Sequence, residues 1–161
     1  MRKPGIVCSL LLCLALLLTG CGQEAPKAEP DLTCAQWSDK IQAAAEFAAM
    51  TDVNEKYLEK ALLIKASSLS DWAFRRDAEG ATPEMILLLR VKPEADKAAV
   101  IQAVKDYLEE RTLLYRDYQP DQLFKLENAS IMEKDGLIAL TVSPDAEKAA
   151  SALGGGWNRV Q

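Results

Sequence analysis

Residues 84–92 read EMILLLRVK, and this stretch decides the fold class. A continuous apolar run of this length, with a charged residue at each end, reads as a buried central strand. Immediately upstream, residues 69–76 (LSDWAFRR) switch to a period of two. Trp72 and Phe74 fall on one face with Ser70, while Asp71 and Arg75 point the other way, which gives a half-buried strand. Residues 77–83, around Gly80, form the loop between the two strands. Downstream, Pro93 opens a long helix over 95–118, with Val100, Ile101, Val104, Tyr107, Leu108, Leu114 and Tyr115 as its buried stripe. Pro120 stops it.

The remaining elements follow from turn and cap signals. Lys134-Asp135-Gly136 lies between two short apolar runs, 129–133 and 137–143, and Asp-Gly supplies the positive φ angles of a tight hairpin. Pro144-Asp145 starts a last helix that Gly154 can end. Toward the N-terminus, Thr33-Cys34-Ala35-Gln36 fits a capping box, and Cys34, Trp37, Ile41, Ala44 and Ala48 continue at helical spacing to about residue 50. Asn54 caps a second helix with Tyr57, Leu58, Ala61 and Leu62 inward, fraying near Ser67-Ser68. The expected order is ααββαββα. This is a two-layer α+β domain in which helices pack on one face of a small, mainly antiparallel sheet of about four strands.

The front of the chain reads as an address. Arg2 and Lys3 precede an apolar run of 13 residues, 6–18, too short to span a bilayer of ~20 residues comfortably. The run ends in Leu18-Thr19-Gly20-Cys21, small residues before a cysteine, which matches a bacterial lipobox. The expectation is a lipoprotein signal peptide over 1–20, recognised through Leu18, Thr19 and Gly20 and removed before Cys21. The Cys21 thiol then carries a diacylglycerol, and two or more acyl chains give stable anchoring. A plain secretory signal or an uncleaved anchor helix are the alternatives. Residues 22–31 (GQEAPKAEPD) form a tether continuing from Cys21, and 32–161 a single domain with a glycine-rich C-terminal tail.

Composition narrows the chemistry. Losing Arg2 and Lys3 with the leader leaves 17 basic side chains against 24 acidic ones, a formal charge of −7. Such a domain repels phosphate backbones, so nucleic acid is not an expected partner. The absence of histidine removes the commonest general base and metal ligand. Cys8 and Cys13 leave with the signal and Cys21 is lipidated. Cys34 alone remains, either a small buried hydrophobe or half of an intermolecular bridge.

The lipobox, the strand at 84–92 ending in Lys92, the helix ending Tyr115-Arg116-Asp117-Tyr118-Gln119-Pro120 and the hairpin around Gly136 resemble the domain of unknown function 4358. That family consists of small lipoproteins found mainly in Gram-positive anaerobes. The resemblance covers about residues 35–150 and leaves Gly154-Gly155-Gly156-Trp157 outside it. It implies an α+β fold and a place on the outer face of the cell membrane. The family carries no assigned activity, so it implies no catalytic residues.

Other patterns read more simply as structure than as sites. Glu109-Glu110, and Asp117 with Asp121, are surface carboxylates rather than an acid–base pair. Asp71, Asp77 and Glu79 lack the spacing of a calcium loop, and Lys65 near Ser67 and Ser68 lacks the Ser-x-x-Lys spacing of a dyad. Asn128-Ala129-Ser130 is a chance sequon, and Gly154-Gly155-Gly156 lacks the strand and Lys-Ser/Thr of a phosphate loop, leaving a flexible tail. Arg75-Arg76 can contact an anionic polymer or lipid headgroup, or simply solvate a strand end. Trp72, Phe74 and Tyr118 can line a ligand groove or pack in the core. The expectation is therefore a non-enzymatic, lipid-anchored module without cofactor, catalytic residue or metal. It meets an envelope protein or other envelope component through a surface near Trp72, Phe74, Arg75 and Tyr118. The runner-up is a small-ligand or solute-binding lipoprotein, and a carboxylate-based hydrolase comes last.

Overall fold

Strand β3 (Met85–Val91) runs through the middle of the sheet with β2 (Leu69–Asp77) on one side and β5 (Leu137–Val142) on the other, both antiparallel. The computed structural model describes residues 31–161. Residues 1–30, and with them the expected signal peptide and the expected roles of Leu18, Thr19, Gly20 and Cys21, lie outside the described residues. Strand β1 (Met50–Asp52) pairs with β2, β4 (Ser130–Lys134) with β5, and β6 (Asn158–Arg159) with β4. The sheet order is β1-β2-β3-β5-β4-β6, six strands rather than about four. Five α-helices are described: α1 (Cys34–Ala44), α2 (Glu55–Leu62), α3 (Lys97–Tyr118), α4 (Leu123–Glu127) and α5 (Ala146–Ser151). The observed order is thus α1 β1 α2 β2 β3 α3 α4 β4 β5 α5 β6, which replaces ααββαββα.

The expected two-layer arrangement is also corrected: both faces of the sheet are covered. Met85, Leu87, Leu89 and Val91 enter a core with Phe74 from β2, Leu58 and Leu62 from α2 and Val100, Val104 and Leu108 from α3. Ile86 and Leu88 enter a separate core with Cys34, Trp37 and Ile41 from α1 and Ala149 from α5. Side chains alternate faces along a strand. A strand apolar at every position therefore needs cover on both sides, and each fully buried leucine or isoleucine contributes about 1.5–3 kcal/mol.

Local chemistry sets the element ends. Thr33 and Gln36 form the capping box of α1: the Gln36 amide donates to Thr33 Oγ1 at 3.2 Å and the Thr33 amide to Gln36 Oε1 at 2.9 Å. Asn54 and Asp96 cap α2 and α3 through the amides of Tyr57 and Ala99. Helix α1 stops at Ala44, short of residue 50, because the chain there turns extended to lay β1 against β2. The β4–β5 hairpin turns on Asp135 (φ 50°) and Gly136 (φ 81°), the left-handed pair that a two-residue turn demands. A bulge between Leu69 and Asp71 shifts the register of β2. Leu69, rather than Ser70, then shares a core with Phe74 and the partly buried Trp72.

The glycine-rich segment leads into a short terminal strand rather than a flexible tail. Trp157 packs edge-to-face on Trp37, centroids 5.8 Å apart at 86°, and its indole N–H donates to the Leu153 carbonyl at 2.9 Å. The chain then pairs with β4 through β6, and the Val160 amide donates to the Ile131 carbonyl at 2.9 Å. Residues Leu32–Gln161 make one compact unit.

Candidate functional site

Phe74 is 1 % exposed and lies in the core, touching Tyr57 and Tyr107 edge-on. Trp72 is half-buried against the same core. Arg75 points to the opposite face and is held there: its guanidinium donates to Asp39 Oδ1 at 2.7 Å, Asp52 Oδ1 at 2.9 Å and Gln42 Oε1 at 3.1 Å. Burial works against its charge, but Asp39 and Asp52 outweigh that and raise its pKa. It ties α1 to β1 and β2. Tyr118 is different. It ends α3 with 78 % of its surface exposed, on the lining of an open cleft of about 490 Å³.

That cleft joins parts of the chain far apart in sequence. Arg76 comes from β2, Gly80 from the loop after it, and Arg111, Leu114, Tyr115 and Tyr118 from the last turns of α3. Arg76 lies over the Tyr57 ring at 5.1 Å and Arg111 over the Tyr115 ring at 5.1 Å. Tyr115 and Tyr107 both have raised pKa values, with burial as the leading cause and the two arginines opposing it. The tyrosines therefore stay protonated at neutral pH, and the two guanidiniums are the charges lining the cleft. Of these residues the sequence singled out Tyr118 and Arg76. Arg111 was missed, since a lone arginine among the charged residues of a long helix carries no local signal.

Behind the loop lies a buried polar cluster. Lys125 Nζ of α4 donates to Glu84 Oε1 at 2.7 Å, with the side chains only 9 % and 4 % exposed. Glu84 Oε2 accepts from the Ala48 amide, also at short range (2.6 Å). Asp77 is buried and accepts from the amides of Glu79 at 2.9 Å and Thr82 at 2.7 Å. Burial pushes its carboxyl up, but these hydrogen bonds prevail and hold it below the usual range. It is thus an ionised loop anchor rather than a poised proton donor. Asp71 does comparable work at the other end of β2, accepting from the Cys34 amide at 2.7 Å. Cys34 is fully buried, and that burial, with Asp71 nearby, pushes its thiol up to about 12. It is the small-hydrophobe reading of this residue. Among the described residues, no group of three or more acidic, cysteine or histidine side chains is arranged to hold a metal ion.

An antiparallel six-stranded sheet covered on both faces, with an arginine–tyrosine cleft at one end of its long helix, defines the class: an α+β domain. The family model of the Domain of unknown function DUF4358 matches residues 43–143, and the chain belongs to that family. The match takes in β1 through β5 and the cleft residues, and leaves most of α1 and the strand β6 outside. No curated protein matches the chain, and no solved structure does.

Proposed function

We propose that the chain is a lipid-anchored, extracytoplasmic binding module without enzymatic activity. Cys21 ties it to the cell membrane, and the end of the domain around Tyr118 meets an envelope protein or other envelope component. The observation that carries the binding half is Tyr118: an aromatic ring left mostly in solvent on a concave surface makes an anchor for a partner. The anchor half is supported by the order of basic residues, 13-residue apolar run and Leu18-Thr19-Gly20-Cys21. Among the described residues no helix is long and apolar enough to cross a membrane. Growing cells with an alkyne-tagged palmitate tests the anchor. Label on the intact protein and its loss in Cys21→Ser support it; unlabelled protein in the culture medium refutes it.

The second reading is capture of a small solute. A cleft of about 490 Å³ favours it, because ligand sites commonly span roughly 300–1,000 Å³. Thermal stabilisation in a metabolite screen tests that reading, since a ligand that binds only the folded state raises its melting temperature.

A further inference from the structure

The cleft beside Tyr118 collects positive charge in a chain that has 24 acidic and 19 basic side chains overall. Its lining includes Arg76 and Arg111 and no carboxylate. Among the described residues, neither guanidinium takes part in an ion pair, whereas Arg75, one position before Arg76, has two acidic partners. The carboxylate whose charge reaches Tyr115 is that of Asp77, and its oxygens are already occupied by the loop amides. Arg111 Nε is buried with no hydrogen-bond partner, and the hydrogen bond from Arg111 Nη2 to the Tyr115 hydroxyl is long, at 3.4 Å. A buried donor left without an acceptor keeps its desolvation cost uncompensated. An oxyanion in the cleft would give the two lining guanidiniums charge-assisted hydrogen bonds, stronger than neutral ones. The tyrosine rings under both guanidiniums hold the forks in place beforehand, and Leu114 and Tyr118 add exposed apolar surface alongside.

Resting on the binding-module reading above, we propose that this cleft takes an oxyanion group, a carboxylate or phosphate ester, held by Arg76 and Arg111. The compact organic body that carries the group lies against Tyr118 and Leu114.

The test is a nuclear magnetic resonance titration of the isotope-labelled, lipidated full chain in phosphatidylcholine nanodiscs. Phenyl phosphate and benzoate serve as charged probes, and benzamide as the uncharged one. The expected result is saturable shifts at the Gly80 and Gln119 amides and at Arg111 Nε–H with at least one charged probe and none with benzamide. The stronger probe names the class of oxyanion. Arg76→Gln and Arg111→Gln each weaken binding about tenfold or more, the effect expected for one charge-assisted hydrogen bond. Arg111→Lys, which keeps the charge and loses the fork, weakens it as well. Tyr118→Ala, at an exposed position with nothing to unfold, lowers affinity severalfold. Nanodiscs containing phosphatidylglycerol identify the source: the same residues already shifted before any probe is added would assign the phosphate to a lipid headgroup. Three results overturn the proposal: no saturable shift with either charged probe and no preshift in the anionic nanodiscs, an equal response to benzamide, or unchanged affinity in both glutamine variants. If both probes fail while a partner still crosslinks at position 118, the binding-module reading stands and the oxyanion site falls.

Discussion

Replacing Lys125 with methionine keeps most of its aliphatic length and removes the ammonium that Glu84 Oε1 meets at 2.7 Å. Glu84 would then be a buried carboxylate with one hydrogen bond left, from the Ala48 amide at 2.6 Å. Breaking one side of a buried ion pair costs about 3–5 kcal/mol, because the survivor keeps its desolvation penalty without its partner. The retained amide places Lys125→Met at the low end, about 3 kcal/mol. With a urea slope of about 2 kcal/mol per molar, the unfolding midpoint falls by roughly 1.5 M. A loss of that size is a large share of the ~5–15 kcal/mol typical of a domain, so the variant folds but is visibly weakened. The double variant Glu84→Gln/Lys125→Met removes both charges and keeps an acceptor for the Ala48 amide, and it recovers at least half of the loss. The assay is urea denaturation followed by circular dichroism, with all slopes compared. A single-variant cost below about 1 kcal/mol, the level of an exposed pair, or a double variant no better than the single one refutes the reasoning.

Three further outcomes follow from the same geometry. Asp77 has a depressed pKa in the folded protein, so its stabilisation is present above the unfolded value near about 4 and is lost as pH falls through the lower folded value. Asp77→Asn therefore weakens the protein at pH 7 and flattens the acid limb of its stability curve; an acid limb parallel to wild type contradicts this. Cys34, with its thiol pushed up to about 12, resists iodoacetamide at pH 8 in the native state and reacts once urea unfolds the domain. Complete labelling of folded protein within minutes would exclude the buried position. Trp157→Ala removes the contact with Trp37 and the bond to the Leu153 carbonyl, costing about 2 kcal/mol and lowering the melting temperature by several degrees. An unchanged melting temperature would mean that the terminal strand does not stabilise the sheet.

The sequence revealed most where local patterns decide the structure. The run at 84–92, the capping box at Thr33 and Gln36 and the Asp135-Gly136 turn each dictate an element through side chains within a few residues. The number of layers was legible too, but was misread. A strand apolar at every position requires cover on both faces, so Ile86 and Leu88 already called for α1 on the side opposite α3. Strands β1 and β6 were not legible, being three and two residues long with no periodicity of their own. They exist because β2 and β4 offer unpaired edges, a tertiary effect. The same holds for the pairs that matter most. Arg76 and Arg111, like Glu84 and Lys125, meet only after the sheet and α3–α4 have assembled. Tyr118 was the exception, since an aromatic two residues before a helix-stopping proline was conspicuous in sequence and is exposed in the fold.

On the proposed function, a membrane-tethered domain works through its Tyr118 end. The most direct measurement places a photo-crosslinking benzoylphenylalanine at position 118 or, as a control, at exposed position 148 on the opposite face of the sheet. Both variants are then irradiated on intact cells, with and without Cys21→Ser. The expected result is one discrete adduct from position 118, none from 148, and loss of the adduct when Cys21 is replaced. No adduct at 118, equal adducts from both positions, or an adduct indifferent to Cys21 would contradict it.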